Sequence, residues 1–337
     1  IFCGNFILPW AAVCEGLEAY AHLSDANNIR SPIVFTMLDL YTLREETDAG
    51  MTVSWGRLLE VVRALPATDP LDKVFASVAW LEERIGGKTE SRVPIYGGTY
   101  VREKYHHAAE FLLTQSPNEP FLSVLSMKED DVAKPPAEMT LSWVPDWRRP
   151  HTVYRLNTDA NLFSASVCTS PSYLSRSQKL HLRGCITDEV AAVGPYLPPR
   201  RPHDKFNLRG ANNIMFAEWY EWAESRALSG KERNELILRW AQTIQAVGRH
   251  IPSYLAVKME HSTGLVELAK SWLDYLETEG GEQTEDLRQF YASCLPAHGR
   301  RFGITRRGRF CLLPKNTVIG DSIYIPYGSK VPFVFRK

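Results

Sequence analysis

The sequence predicts an α+β protein: a helical N-terminal part, then a small β-barrel-like sheet split by a helical insertion. Three observations predict it. Apolar residues recur at helical spacing through the first third of the 337 residues. Alternating segments bounded by turn residues occur at about 160–193 and again after Pro296. Between those two stretches, from Asn212 to about Leu295, the pattern returns to helix. The expected organisation is therefore a helical region at 1–127, a linker with an aromatic docking segment at 128–160, and a β-barrel-like domain at 161–337 with its helical insertion at about 212–295. A chain of this length suits two or three domains at roughly 100–200 residues each.

In order along the chain, Pro9 to Leu23 places Trp10, Val13, Leu17 and Tyr20 at helical spacing, with Pro9 suited to a first turn. Ser54 caps a helix running to about Leu65, whose inner face is Leu58, Leu59, Val62 and Leu65. Asp69-Pro70 starts another, with Asp69 as N-cap and Asp72 near the positive end of the helix dipole. Its stripe is Leu71, Val74, Phe75, Val78, Leu81 and Ile85, and Gly86-Gly87 ends it. Thr99 to Thr114 gives one more amphipathic helix, with Tyr105, Ala108, Ala109 and Leu112 on its apolar side. A polar stretch, Lys128 to Glu138, contains Pro135-Pro136 and belongs to neither regular element.

The segment Leu141 to Trp147 reads as extended and aromatic. Trp143 and Trp147 together can bury about 300 Å² at roughly 150–250 Å² per aromatic residue. They are expected, with Pro145, to tie the helical part to the β part. Residues 148–160 read as loop, Ala160–Val167 and Lys179–Val193 as strands, and Leu197–Asp204 as loop. The insertion helices carry Trp219 and Trp222, then Trp240, then Trp272. Strands follow at Arg301–Thr305, Arg309–Leu313, Asp321–Pro326 and Val331–Arg336, with turns at Arg307-Gly308 and Tyr327 to Lys330. The long strand at 179–193 has too little nearby β-sequence to pair with, so its partners are expected beyond residue 300.

Composition excludes more than it assigns. Apolar residues are 44% and charged residues 23%, which is enough for a packed core and too balanced for disorder. Lys plus Arg equals Asp plus Glu at 39 each, so overall charge selects no polyanion. The six cysteines, at 3, 14, 168, 185, 294 and 311, form neither a CxxC pair nor zinc-like spacing with His. Reduced thiols are expected, and the chain contains no Asn-x-Ser/Thr sequon. The uncharged opening run Ile1–Val13 lacks the basic residues of a signal peptide and is shorter than the ~20 residues of a membrane span. It reads as the edge of a fragment that continued upstream into a core. A soluble, cytoplasmic chain is expected.

Several motifs invite chemistry, and for each the plainer reading weighs more. Gly86-Gly87-Lys88-Thr89 resembles the tail of a phosphate loop, but position 82 is Glu and the segment follows a helix, not a strand. His106, His107 and Glu110 lack the further His at 111, which is Phe, that an inverted zincin helix needs. Glu218, Glu221 and Glu224 could act as acid and base only if their surroundings separated their pKa values, and three on one helix edge read as a solvated face. Arg300, Arg301, Arg306, Arg307 and Arg309, interleaved with Phe302 and Phe310, combine cations with rings as single-strand binders do. Charged hairpins also guard sheet edges against association. No Gly-x-Ser-x-Gly, Gly-x-Gly-x-x-Gly or His-Glu-x-x-His pattern occurs. Catalytic, cofactor-binding and metal-ligating residues are accordingly expected to be none.

Two blocks together resemble the fungal heterokaryon incompatibility (HET-domain) family. The first is Ala67-Thr68-Asp69-Pro70-Leu71-Asp72-Lys73-Val74-Phe75-Ala76, followed by Leu141-Ser142-Trp143-Val144-Pro145-Asp146-Trp147. The second is Arg301-Phe302-Gly303-Ile304-Thr305, Gly308, Pro314, Gly320-Asp321, Gly328 and Val331 to Arg336. Leu182-Arg183-Gly184 with Asp188 is similar to the family's middle strand, and Phe2-Cys3-Gly4 with Trp10 to the segment that follows its HET domain. Phe310-Cys311-Leu312-Leu313 stands where Gly-Leu-Gly is commoner, and the Trp-Asp-x-x-Cys-Ile-Asn-like block of the HET domain proper has no counterpart. The resemblance implies a non-enzymatic accessory region in non-self recognition and a cell-death response. Its partners would be the HET domain and a second incompatibility protein, and no membrane. The other reading is a nucleic-acid-binding module on the Arg-rich barrel.

Overall fold

The computed structural model describes residues 2–3, 6–26, 32–51, 53–63, 65–85, 101–114, 125, 141–148, 156, 165–166, 173–176, 179–199, 211–226, 233–245, 262–278 and 283–336. The chain divides into two compact units: Ile1–His151 with Ser177–Lys179 and Arg201–Phe206, and Thr152–Arg176 with Leu180–Arg200 and Asn207–Lys337. The architecture is α+β, as the sequence predicts.

The first unit opens on a short antiparallel pair, β1 (Phe2–Cys3) and β2 (Phe6–Ile7), and continues as helices α1 (Trp10–Ala26), α2 (Pro32–Asp48), α3 (Trp55–Arg63), α4 (Asp72–Ile85) and α5 (Val101–Thr114). Helix α2 is not anticipated by the sequence pattern. Between Ile33 and Leu43 the polar Thr36, Asp39 and Thr42 share their side of the helix with Leu43, while apolar residues spread around the rest, so no narrow apolar stripe marks it as helical. Leu43 is nonetheless buried, in a cluster with Val53 and Leu58.

Ser54 caps α3 as expected: its Oγ accepts the Arg57 amide at 3.2 Å. The entrance to α4 differs in detail. Asp69 Oδ1 accepts the Leu71 amide at 2.9 Å, and the Asp72 amide reaches Asp69 O at 3.1 Å, so one tight turn precedes the helix. Replacing Asp69 with alanine should cost about 1 kcal/mol in a thermal melt, as a capping loss does. An unchanged midpoint would show that this carboxylate caps nothing.

The second unit is built on a curled, five-stranded antiparallel sheet. A separate pair, β3 (Tyr173–Arg176) and β4 (Lys179–Leu182), precedes the long β5 (Gly184–Tyr196). After the insertion come β6 (Arg300–Thr305), β7 (Phe310–Pro314), β8 (Ser322–Pro326) and β9 (Phe333–Phe335), and the strand order is β7-β6-β5-β8-β9. Strand β5 therefore lies at the centre. It pairs with β6 through Val190↔Thr305 and Tyr196↔Arg301, and with β8 through Gly184↔Pro326 and Ile186↔Tyr324. The long strand thus finds its partners beyond residue 300, as expected, but it separates β6 from β8 rather than closing a meander, and β7 and β9 stand at the edges.

Two details depart from the sequence reading. The long strand breaks at Arg183 and runs on to Tyr196 instead of stopping at Val193. In the expected strand at 160–167, residues 165 and 166 form a turn, with amides on Lys330 O and Ser329 O; the rest lies outside the described residues.

At Gly184 the backbone of β8 leaves no room for a side chain on β5. A Cβ there would lie 2.3 Å from Ile325 O and 2.7 Å from the Pro326 Cα, both backbone atoms. Gly184→Ala should therefore lower the urea midpoint by the equivalent of about 1–3 kcal/mol, the range of overpacked sites. A neutral result would mean that the strands are not in this register.

Among the described residues, the insertion contains α6 (Ala211–Glu224), α7 (Arg233–Gln245), α8 (Ser262–Glu277) and α9 (Glu285–Ser293), then a 3₁₀ turn at Leu295–Ala297. Its interior is aromatic. Trp240 stacks on Trp272 at 6.1 Å, and Trp272 meets Phe216 at 5.2 Å and Phe290 at 4.9 Å. The sheet joins this cluster through Phe302 on β6, which packs on Trp219 and Trp222 of α6. Trp219 Nε1 also donates to Pro195 O at 3.0 Å. Among the described residues, no helix is long and apolar enough to cross a membrane.

Candidate functional site

The block at 67–76 and the block at 141–147 meet within the first unit around three charged side chains that are almost fully buried. Arg63 closes α3 at 2% exposure, Lys73 lies in the first turn of α4 at 8%, and Asp146 lies in the aromatic segment at 4%. That segment opens on a turn and is not the extended stretch the sequence suggests, because the Val144 amide bonds back to Leu141 O at 3.0 Å. Arg63 donates through Nη2 to Asp146 O at 3.1 Å and faces Glu60 Oε1 at 3.5 Å. Lys73 Nζ donates to Arg63 O at 2.9 Å and Arg148 O at 3.3 Å. The Asp146 carboxylate takes Arg148 in a two-pronged bond, Nε at 2.7 Å and Nη2 at 2.8 Å.

Aromatic rings seal this knot. Tyr105, fully buried on α5, meets Trp147 edge-on at 5.2 Å and donates its hydroxyl to Pro70 O at 2.9 Å. Trp143 meets His106 at 5.2 Å. Burial first, then the adjacent Arg63 charge, pulls the Lys73 ammonium below its ordinary range, with Asp146 opposing. Burial, reinforced by Asp146, pushes the Tyr105 phenol up. The Lys73 amine is thus spent on backbone carbonyls, and the arrangement acts as a latch between α3, α4, α5 and the Leu141–Arg148 segment. Sequence reading singled out Asp69 and the tryptophans of this region but missed Arg63. The available signal was position: Arg63 follows Leu59 by four residues and so falls on the buried stripe.

The other sequence candidates separate in space. His107 is exposed, whereas His106 is half-buried on Trp143, and burial lowers its pKa against the opposing pull of Glu110. Among the described residues, no group of three or more His, Cys, Asp or Glu is placed to hold a metal. Glu218, Glu221 and Glu224 are exposed, and Glu224 accepts the Tyr220 hydroxyl at 2.9 Å. Gly86 to Thr89 lie outside the described residues.

In the second unit the arginine cluster is divided by its partners. Arg300 donates to Pro296 O, Arg301 to Lys315 O and Gly194 O, and Arg306 pairs with Glu189 at 2.6 Å. Burial lowers Arg300 to about 10. Arg307 and Arg309 are exposed in the β6–β7 turn. Phe302 is fully buried and offers no face to a base, and Phe310 packs on it at 5.2 Å.

Two aspartates of the C-terminal blocks act as clamps. Asp188 Oδ1 accepts the Glu189 amide at 2.9 Å. Asp321 takes the Val318 amide at 2.9 Å and both Nε and Nη2 of Arg336 at 3.3 Å. Burial pushes the Asp321 carboxyl up, but the bonds from Arg336 and Val318 and the Arg336 charge outweigh it, so its pKa lies below the usual carboxylate range. Asp188 is lowered in the same sense, its hydrogen bonds outweighing burial. A depressed carboxylate adds stability above the unfolded value of about 3.9, and that stability fades as pH falls through the folded value. The acid limb of a pH–stability curve should therefore flatten in Asp321→Asn relative to the parent chain. Parallel curves would contradict the clamp.

Comparison of the chain with family models, with curated proteins and with solved structures finds no match.

Proposed function

We propose that this chain is a non-enzymatic accessory scaffold of a HET-type fungal incompatibility protein, serving non-self recognition in the cytoplasm. The observation that carries the reading is the fate of its motif residues. Lys73, Asp146, Asp188 and Asp321 are bonded to backbone and to neighbouring arginines, in positions that hold helices and strands together. Residues spent this way preserve a shape, and a preserved shape is what a docking module must offer. Its partners in this reading are a HET domain proper and a second incompatibility protein. Calorimetric titration of the 337-residue chain with a purified HET domain should give a saturable heat. No heat at any temperature tested would overturn the reading.

The alternative, single-strand nucleic-acid binding, draws on the exposed Arg307 and Arg309. Burial of Phe302 weighs against it, because sequence-tolerant binders stack bases on open rings. Titrating a single-stranded oligonucleotide at two salt concentrations separates the two. Tight binding with a steep salt slope would favour the alternative.

A further inference from the structure

We propose that His106 makes the docking of the Leu141–Arg148 segment on α5 sensitive to pH: the neutral imidazole holds Trp143 in place, and mild acid loosens the segment. The His106 ring meets Trp143 edge-on at 5.2 Å, and Trp143 is only 6% exposed, so the imidazole is part of the surface on which the segment sits. Its Nε2 is closed off from water and, among the described residues, meets no hydrogen-bond partner. A neutral imidazole needs a hydrogen on only one ring nitrogen, so Nε2 can stand there bare. The imidazolium needs a hydrogen on both. With the segment docked, that Nε2–H has neither acceptor nor water, so protonation both strands a donor and buries a charge. Moving the segment away readmits water to the nitrogen.

The charges around the ring do not cancel this cost. Burial, the largest influence, disfavours the cation; on α5 itself Glu110 favours it, while His107 and Arg102 oppose it, and the His106 pKa lies below its ordinary value. From the facing segment comes the uncharged indole. The charges of that segment, Asp146 and Arg148, are bound to each other, and with Arg63 and Asp69 they bear on Tyr105, the neighbouring position on the helix. Released, His106 returns to its ordinary value of about 6.5, so below that pH the released form binds more protons than the docked one. Docking is therefore at full strength above the ordinary value and weakens as pH falls toward the docked value, the released population rising by at most about tenfold for each pH unit. Release bares the indoles of Trp143 and Trp147 and opens the bond from Arg63 to Asp146 O. Such a device requires nothing of the family reading.

Fluorine NMR of the full chain labelled with fluorotryptophan tests this, the Trp143 resonance being assigned from Trp143→Phe. Between about pH 8 and about pH 5, the range in which histidine changes charge, the Trp143 signal of the parent should move toward the position of a water-exposed indole. In His106→Phe, which keeps a ring against Trp143 and takes no proton, the signal should stay where it stands at neutral pH. In Glu110→Gln the change should begin at lower pH, since the carboxylate that favours the cation is gone. His106→Gln replaces the phenylalanine variant if that protein does not fold at neutral pH. The carbon signal of His106 Cε1 should titrate below about 6.5. A Trp143 signal that ignores pH in the parent, an equal acid response without the imidazole, a Glu110→Gln response unmoved or moved to higher pH, or a His106 that titrates at its ordinary value would each overturn the proposal.

Discussion

Replacing Arg63 with methionine will cost the first unit on the order of 3–5 kcal/mol, the loss expected when one partner of a buried ionic cluster is removed. Methionine keeps the apolar stem but takes away the cation that stands between Glu60 and the Asp146 carbonyl. Glu60 is only 6% exposed at its side chain, so water does little to replace the lost charge. Lys73 would feel the change in the opposite sense, because Arg63 is one of the charges that depress its pKa. Its relief recovers only a part of the loss. Denaturant unfolding of the variant measures the difference. Arg148→Met is the natural comparison, since Arg148 is 27% exposed and its removal should cost less. Equal losses for the two would mean that burial does not set the energetics of the cluster.

That Arg63 matters so much was not visible in its surroundings along the chain. A cation at the end of a helix reads as favourable to the dipole and exposed to water, and both expectations are ordinary. Only the tertiary fold places it under the Leu141–Arg148 segment, across more than eighty residues of sequence. Lys73 was likewise read as one polar letter in a helix start. By contrast, α3, α5 and the insertion helices α6, α7 and α8 were legible because each carries apolar residues at helical spacing. The C-terminal strands were legible because Arg307-Gly308 and Tyr327-Gly328 punctuate them and the structure turns at those positions, with Gly308 and Gly328 at φ of 70° and 81°. Helix α2 escaped because its apolar residues spread around most of the helix and no narrow stripe stands out. That β5 has partners beyond residue 300 was legible, but its central place was not: the four C-terminal strands read as one meander, whereas β5 separates β6 from β8, and no local feature of 184–196 names those two as its neighbours.

Deleting the chain from Val331 onward will unfold the sheet rather than trim a tail. The short β9 pairs with β8 through Ser322↔Phe335, Ile323↔Val334 and Tyr324↔Phe333. Val334 packs on the cluster of Val190, Leu313 and Ile323, and Val331 is itself buried. Arg336 grips both Asp321 and the Asn316 carbonyl, which holds the β7–β8 loop. Each fully buried aliphatic or aromatic side chain is worth about 1.5–3 kcal/mol. Losing the buried Val331, the half-buried Phe333 and Val334, the three ladder pairs and the clamp together is a loss that approaches the roughly 5–15 kcal/mol that keeps a domain folded. Tryptophan fluorescence through a urea titration should show the transition of the second unit displaced to low denaturant or absent. An unshifted, cooperative transition would mean that β9 is an appendage to a sheet complete without it.

The claim on which everything else depends is that β5 completes one sheet from two segments separated by the helical insertion. Residue-resolved amide hydrogen exchange on the full chain measures it most directly. The Val190 amide bonds to Asp321 O and the Leu197 amide to Arg300 O, both at 2.9 Å, from opposite sides of the strand's partners. Both should exchange with the slow, shared protection of the Phe302 and Ile323 amides on β6 and β8, far more slowly than turn amides such as Arg307. Rapid exchange along β5 while β6 and β7 remain protected would contradict the account.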